Sequence, residues 1–330
     1  MRVFGEVSFI VFAGFCLAGS ALAQKEPSAY PAKAVTIINP FPPGGSVDTM
    51  ARLLAQKLNE SWGQPVIVEN RAGASGTIGL TAVARAPADG HVLGIILITH
   101  AANVTLQGIK QPYDLVRDFT PVTQFMAQPY VLVVNPSLPV RSIGELIALA
   151  KAKPDAITYG SSGVGSMLHL AGELFAFQAK VKITHVPYKG VAPAISGVAG
   201  GHVAMTFAAR ASAQPLIAAG RLRALAVTVP NRLPAAPEIP TMRESGMPGL
   251  YDVTGWYGIG GPAGMPGPVV EKLQQDIARV LKLPDVRERM AVDSIDPVGS
   301  TPAQFAALIR SEIDKWRRVI QQAGIPVGSI

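Results

Sequence analysis

Cysteine is all but missing from this chain of 330 residues: Cys16 is the single one. It lies in an apolar run, Val7 to Leu17, that follows Arg2 and precedes "GSALAQ". That layout is expected of a secretory leader, with Ala21 and Ala23 as the small residues of a cleavage site after Ala23. The run is too short to span a bilayer comfortably. Phe15 before Cys16 is not the small residue that a lipoprotein site wants. A chain cut after Ala23 holds no thiol, which excludes disulfides, thiolate metal sites and cysteine nucleophiles. A secreted domain of this size builds a large enough core to do without staples.

Other absences narrow the function further. No later apolar run reaches spanning length, and "VLGIILIT" reads as a buried strand, so no membrane insertion is expected after cleavage. The chain has no Gly-Lys dipeptide and therefore no Walker A loop. "GSSGVGS" does not match G-x-S-x-G, and it lacks the third glycine and later acid of a dinucleotide site. His169 and Glu173 stand four apart, but a zinc protease helix needs a second histidine. No metal or cofactor is expected. The 29 basic and 22 acidic residues are scattered, with no run suited to nucleic acid. A modest excess of positive charge is compatible with anionic ligands.

What is present is a steady alternation of strand and helix signals. "AVTII" leads to a helix with Met50, Leu53, Leu54, Leu58 and Trp62 on one stripe. "PVIVE", "HVLGIILIT", "YVLVV", "AITYGSS", "THVPY", "HVAMTF" and "LRALAVT" read as strands. "GTIGLTAVARA", "SIGELIALAKAKP" with Ser142 and Glu145 in capping-box spacing, and "SMLHLAGELFAF" behind Ser166 read as helices. Near the end, "PVVEKLQQDIARVLKL" and the helix opened by Thr301, Pro302 and Gln304 carry long apolar stripes. This order predicts an α/β fold of mainly parallel sheets in two lobes. Without a flexible linker, the chain is expected to cross between lobes on extended segments, "TQFMAQPY" and "VTVPNR". The expected division is residues 1–23 as leader, 24–126 as the first part of lobe 1, 127–228 as lobe 2, and 229–330 as the return to lobe 1. A ligand would occupy the hinged cleft between them.

Three loops are expected at the carboxyl ends of proposed parallel strands, where open α/β folds place ligands. The first is Phe41, Pro42, Pro43, Gly44, Gly45 and Ser46, a turn stiffened by proline and opened by glycine at the start of a helix. The second is Thr99, His100 and Asn103. The third runs through Ser161, Ser162, Gly163, Val164, Gly165 and Ser166 to His169. The first and third offer backbone N–H groups and hydroxyls at helix N-termini, an arrangement suited to an anion. Tyr188 and Lys189 form a further turn in "HVPYKG", with Lys189 either facing the cleft or solvated. Arg210, at another strand end, either clamps a carboxylate or serves the surface. Asp48, in the first turn of its helix, is read as complementing the helix dipole.

The stretches "YPAKAVTIINPFPPGGSVDTMARLLAQKL", "GQPVIVENRAGASGTIG", "APADGH", "YGSSGVGSMLHLAGELF", "HVPYKGVAPAI", "GRLRALAVT" and "GGPAGMP" stand in one order along the chain. With them the chain resembles the Bug-type (TctC-like) periplasmic solute-binding receptors of tripartite tricarboxylate transporters. The resemblance implies a type II periplasmic binding-protein fold, two α/β lobes around a cleft, with no enzymatic activity. It also implies capture of a small carboxylate by a monomer for delivery to membrane permease subunits. In that family the loops matching residues 41–46 and 161–166 hold ligand carboxylates through backbone amides, hydroxyls and bridging waters. Residues matching Thr99 and Asn103 commonly face the same cleft. One departure is Ala208 and Ala209 where relatives often carry a polar pair, followed here by Arg210. The missing acid argues against amino-acid ligands, and an inward Arg210 would favour a second carboxylate. The reading is a receptor for a di- or aromatic carboxylate. Its rivals are a sensor that signals occupancy to a membrane regulator and a secreted enzyme acting on carboxylates.

Overall fold

A computed structural model describes residues 30–106, 111–247, 253–325 and 327. The expected leader, with Cys16, lies outside the described residues. Lobe 1 opens with β1 (Val35–Asn39), α1 (Ser46–Trp62), β2 (Val66–Asn70), a 3-10 turn at Ala74–Gly76 and α2 (Thr77–Ala84). β3 (Val92–Leu97) and α3 (Ile98–Leu106) follow. β1 lies between β2 and β3 and is parallel to both. Helix α1 buries Met50, Leu54 and Leu58 in a core shared with Ile37 and Ile95, and Gly63 ends it in the left-handed conformation.

β4 (Phe119–Val134) is a single long strand that takes part in both sheets. Lobe 2 continues with α4 (Ile143–Ala152), β5 (Thr158–Ser161), α5 (Met167–Ala179), β6 (Thr184–Pro187) and α6 (Val191–Ala199). β7 (Met205–Ala209), α7 (Arg210–Ala218) and β8 (Arg223–Val227) complete its regular elements. The chain returns on β9 (Thr254–Pro262) and ends with α8 (Gly267–Val280), α9 (Pro284–Val292), β10 (Asp296–Pro297) and α10 (Pro302–Ala323). The strand order is β2-β1-β3-β9-β4-β7-β5-β6, with β8 and β10 also paired to β4.

Helix-linked strands inside each lobe are parallel, as the alternation predicts. The departure from a mainly parallel sheet comes from β4 and β9, which run antiparallel to their partners. The segment "TQFMAQPY" is the middle of β4. β9 escapes sequence reading because "TGWYGIGGP" has four glycines and no alternation. Those glycines are spatially required. A Cβ on Gly258 would strike the ring of Phe305, and one on Gly260 would lie 2.7 Å from Ile96. The bare strand lets α10 lie close, with Phe305 edge-on to Trp256 at 5.9 Å and Trp316 fully buried. As "TPAQ" foretells, Thr301 and Gln304 close a reciprocal capping box on α10.

Candidate ligand-binding cleft

Five strands, β1, β3, β5, β6 and β7, end at one cleft between the lobes, and each leads into a helix. The first turns of those five helices line it: Ser46 and Val47 of α1, Thr99 of α3, Met167 and Leu168 of α5, Val191 to Pro193 of α6, and Ser212 of α7. The cavity in this cleft is about 90 Å³. Its walls are largely apolar, with Phe41, Leu97, Met167 and Leu168 beside the hydroxyls of Thr99, Ser162 and Ser212. Among the described lining residues Lys189 is the only one with an ionised side chain, and it is exposed at the rim. Opening N–H groups of a helix have no intrahelical acceptor, and the helix dipole places partial positive charge there. The cleft therefore has a positive interior made mainly from backbone.

Local chemistry explains the shape of both cradles. In the first, Gly44 takes φ +89°, a conformation that suits glycine. Its N–H donates to Asp48 Oδ2 at 3.3 Å. Asp48 is buried at 5% exposure and also accepts from Asn39, Arg52 and Asn70. Burial opposes its charge, but these hydrogen bonds outweigh that effect and hold its carboxyl below the usual range. Asn70 Nδ2 also donates to the Phe41 carbonyl at 3.0 Å, fixing the turn from its other side. Thus Asp48 does more than complement its helix dipole: it braces the turn. Ser46 donates to Gln128 Oε1 at 2.8 Å, tying the start of α1 to β4.

In the second cradle, Ser166 caps α5 by accepting from the His169 N–H. Gly163 takes φ +125° and Gly165 φ +75°. Ser161 Oγ accepts from the Gly163 N–H at 3.1 Å and lies 2.6 Å from His185 Nε2. Gly165 donates to His169 Nδ1 at 3.2 Å, and the two imidazoles lie against each other, tilted by 31° with centroids 4.2 Å apart. Burial lowers the His169 pKa to about 4; burial and the neighbouring His169 do the same for His185. A neutral ring is needed at His169, because it accepts the Gly165 hydrogen bond on a bare nitrogen.

Not every expected residue reaches the cleft. Phe41, Pro42, Pro43, Gly45, Ser46, Thr99, Ser162 and Lys189 line it, and Gly163 and Val164 line an adjoining recess. Gly44, Ser161, Gly165, Ser166 and His169 brace the cradles from behind. Thr99 occupies the first turn of α3, not a loop, because the apolar run of β3 passes into helix without a break. His100 and Asn103, on the same helix, support the turn at Ala74–Gly76 and do not line the cleft. Asn103 donates to the Ser75 carbonyl at 3.3 Å, and a Cβ on Gly76 would strike His100 Nε2. Tyr188 is directed into lobe 2, where Gly160 and Gly197 leave room for its ring. Arg210 is also turned away: it donates to the Ala235 carbonyl at 2.9 Å and Ser294 Oγ at 2.7 Å, at 5% exposure. With both terminal nitrogens of its guanidinium engaged by those acceptors, Arg210 offers no clamp for a second carboxylate.

Sequence reasoning missed Met167 and Leu168, although Ser166 as N-cap marks both as first-turn positions. It also missed Tyr130 and Tyr257, whose hydroxyls meet at 3.4 Å. Tyr130 lies in a segment expected to cross between lobes, whereas Tyr257 lies in the glycine-rich strand, which gives no signal.

Comparison with known proteins identifies the family. The family model for the tripartite tricarboxylate transporter family receptor, TctC, matches residues 50–325. BugT of Bordetella pertussis is 37% identical, with 96% of this chain and 95% of BugT covered. An R. palustris protein solved with adipate is 37% identical and superposes with a TM-score of 0.86, covering 90% of this chain and 99% of that one. MatC of Rhodopseudomonas palustris, solved with bound malate, is 32% identical with a TM-score of 0.82, covering 88% and 100%. The matched family is one of transporter receptors, and a further solved relative, BugD, is a periplasmic binding protein. The chain belongs to the TctC family of tripartite tricarboxylate transporter receptors, in its Bug-type branch.

Proposed function

We propose that this protein is a periplasmic receptor that closes on one small organic acid and presents it to permease subunits of a tripartite tricarboxylate-type transporter. The observation that carries this reading is the convergence of five helix N-termini on a cleft with no acidic side chain among its described lining residues. A carboxylate there gains hydrogen bonds from N–H groups that have no partner inside their helices. Relatives solved with adipate and malate agree with an organic-acid ligand. The leader expected at residues 1–23 would deliver the mature chain, working as a monomer, to the periplasm.

In this reading the hinge lies where β4 and β9 run side by side between the lobes. Residues 229–247 stay with lobe 2: Val227 bridges Thr241, and Ala236 and Ile239 pack with Val131. In this reading the chain returns to lobe 1 on β9, later than residue 229. Binding drives closure because the closed state offers the acid contacts from both lobes.

The test is thermal unfolding of the mature chain, stripped of any carried-over ligand, against mono-, di- and tricarboxylates, aromatic acids and amino acids. At a hundredfold excess over Kd the true ligand stabilises the fold by about 2.7 kcal/mol. A shift confined to one class of organic acid is expected. A flat response to every acid, from protein shown to be folded and empty, would remove the reading.

A further inference from the structure

The floor of the cleft carries two groups that a carboxylate held by the helix N-termini would leave unused. Tyr130 comes from β4 where it pairs with β7, opposite Ala209, and Tyr257 comes from β9, opposite Leu97 and Met126. They stand on the two strands that join the lobes. Both line the cleft, and both are at most 5% exposed.

Two hydroxyls hold two donor hydrogens, yet the pair makes one contact between them, at 3.4 Å. That separation is long for an O–H to O bond, which favours about 2.7 Å. Among the described residues neither hydroxyl has another hydrogen-bond partner. At least one O–H is therefore available to a molecule in the cleft. Burial raises both phenol pKa values, so both groups remain donors at neutral pH. Lys189 lies at the rim and Arg210 is engaged elsewhere, so neither side chain takes this place.

We propose that Tyr130 and Tyr257 form a donor pair for a second oxygen-bearing group of the bound acid, distinct from the carboxylate held by the helix N-termini. This rests on the organic-acid reading of the cleft. The second group is an oxygen acceptor: a hydroxyl, a carbonyl or another carboxylate. The apolar walls, Phe41, Leu97, Met167 and Leu168, suit a hydrocarbon chain or ring between the two polar ends. An acid without the second oxygen would leave buried donors unmatched, the kind of mismatch by which binding sites reject analogues.

The experiment compares dissociation constants of two probe series, hexanoate, 6-hydroxyhexanoate and adipate, then benzoate, 4-hydroxybenzoate and terephthalate. They are measured on the stripped wild type, on Tyr130→Phe, on Tyr257→Phe and on the double variant. In the series that fits, a second oxygen is expected to tighten wild-type binding at least about tenfold over the parent acid. The double variant is expected to shrink that ratio below about threefold while parent-acid binding changes less than about twofold. Whether the hydroxy acid or the diacid leads identifies the charge of the second group. Phenylalanine keeps the ring, and if the double variant does not fold, Tyr257→Phe alone must shrink the ratio. A ratio that survives the substitutions, or is absent from a wild type that binds the acids, overturns the donor pair and leaves the receptor reading intact. Failure of every probe to bind folded wild type, with the broader acid panel also flat, removes both.

Discussion

His100, His169 and His185 are held neutral by their surroundings, and each has a consequence for stability. Burial takes the His100 pKa down to about 3. It takes His169 to about 4, and His185 reaches about 4 with a further push from His169. In the unfolded chain these rings accept protons near pH 6.5. Between that value and about 4 the unfolded state binds more protons than the native one, so stability falls as pH drops through this window. Above about pH 7 the rings are neutral in both states and contribute no slope. Urea midpoints should hold steady from pH 8 to 7 and decline from about pH 6.5, before most carboxylates titrate. Midpoints unchanged between pH 7 and 5 would show that these rings gain protons in the native protein. His169 and His185 also brace the second cradle, so ligand affinity should hold through this window and weaken only near pH 4, where the folded protein's own rings gain protons.

At the level of elements, β9 and α10 fit only because one of them is bare. Gly258→Ala would drive a methyl group into the buried Phe305 ring. Overpacking of this kind costs about 1–3 kcal/mol, read as a lower urea midpoint with β9 as the weakened strand. Full stability in that variant would mean that α10 can move aside. The same strand shows where sequence reading stops. The cradle turns were legible because proline, glycine and an N-cap serine act through local backbone geometry. Helices α1, α5, α8 and α10 were legible through apolar spacing and caps. β9 was not, since its glycines serve a partner in another element, and α3 was hidden inside the apolar run of β3. Orientation was harder still. Lys189 and Arg210 each follow a strand end, but only the structure shows Arg210 meeting acceptors from residues 235 and 292–294. Tyr188 turns inward because two glycines far along the chain leave space for it.

Across the whole molecule, the lobes meet directly where Ser75 donates its hydroxyl to the Val164 carbonyl at 2.5 Å. Ser75 adopts φ +52°, and Asn103 holds its carbonyl from α3. The bond joins the rim of lobe 1 to the second cradle, so it favours the closed arrangement. Ser75→Ala removes about 1 kcal/mol from that arrangement. The expected result is a ligand dissociation rate raised about fivefold, with the urea midpoint of the empty protein nearly unchanged. An unaltered rate would show that the contact does not help hold the lobes shut. The cleft itself has a consequence on a longer timescale. Main-chain N–H groups line its anchoring end, and no single substitution other than proline deletes a main-chain N–H. In the proposed reading, descendant copies of such a gene would inherit acid capture even as side chains drift. Selection is then free to rewrite the floor and the rim, giving new nutrient preferences on an unchanged grip.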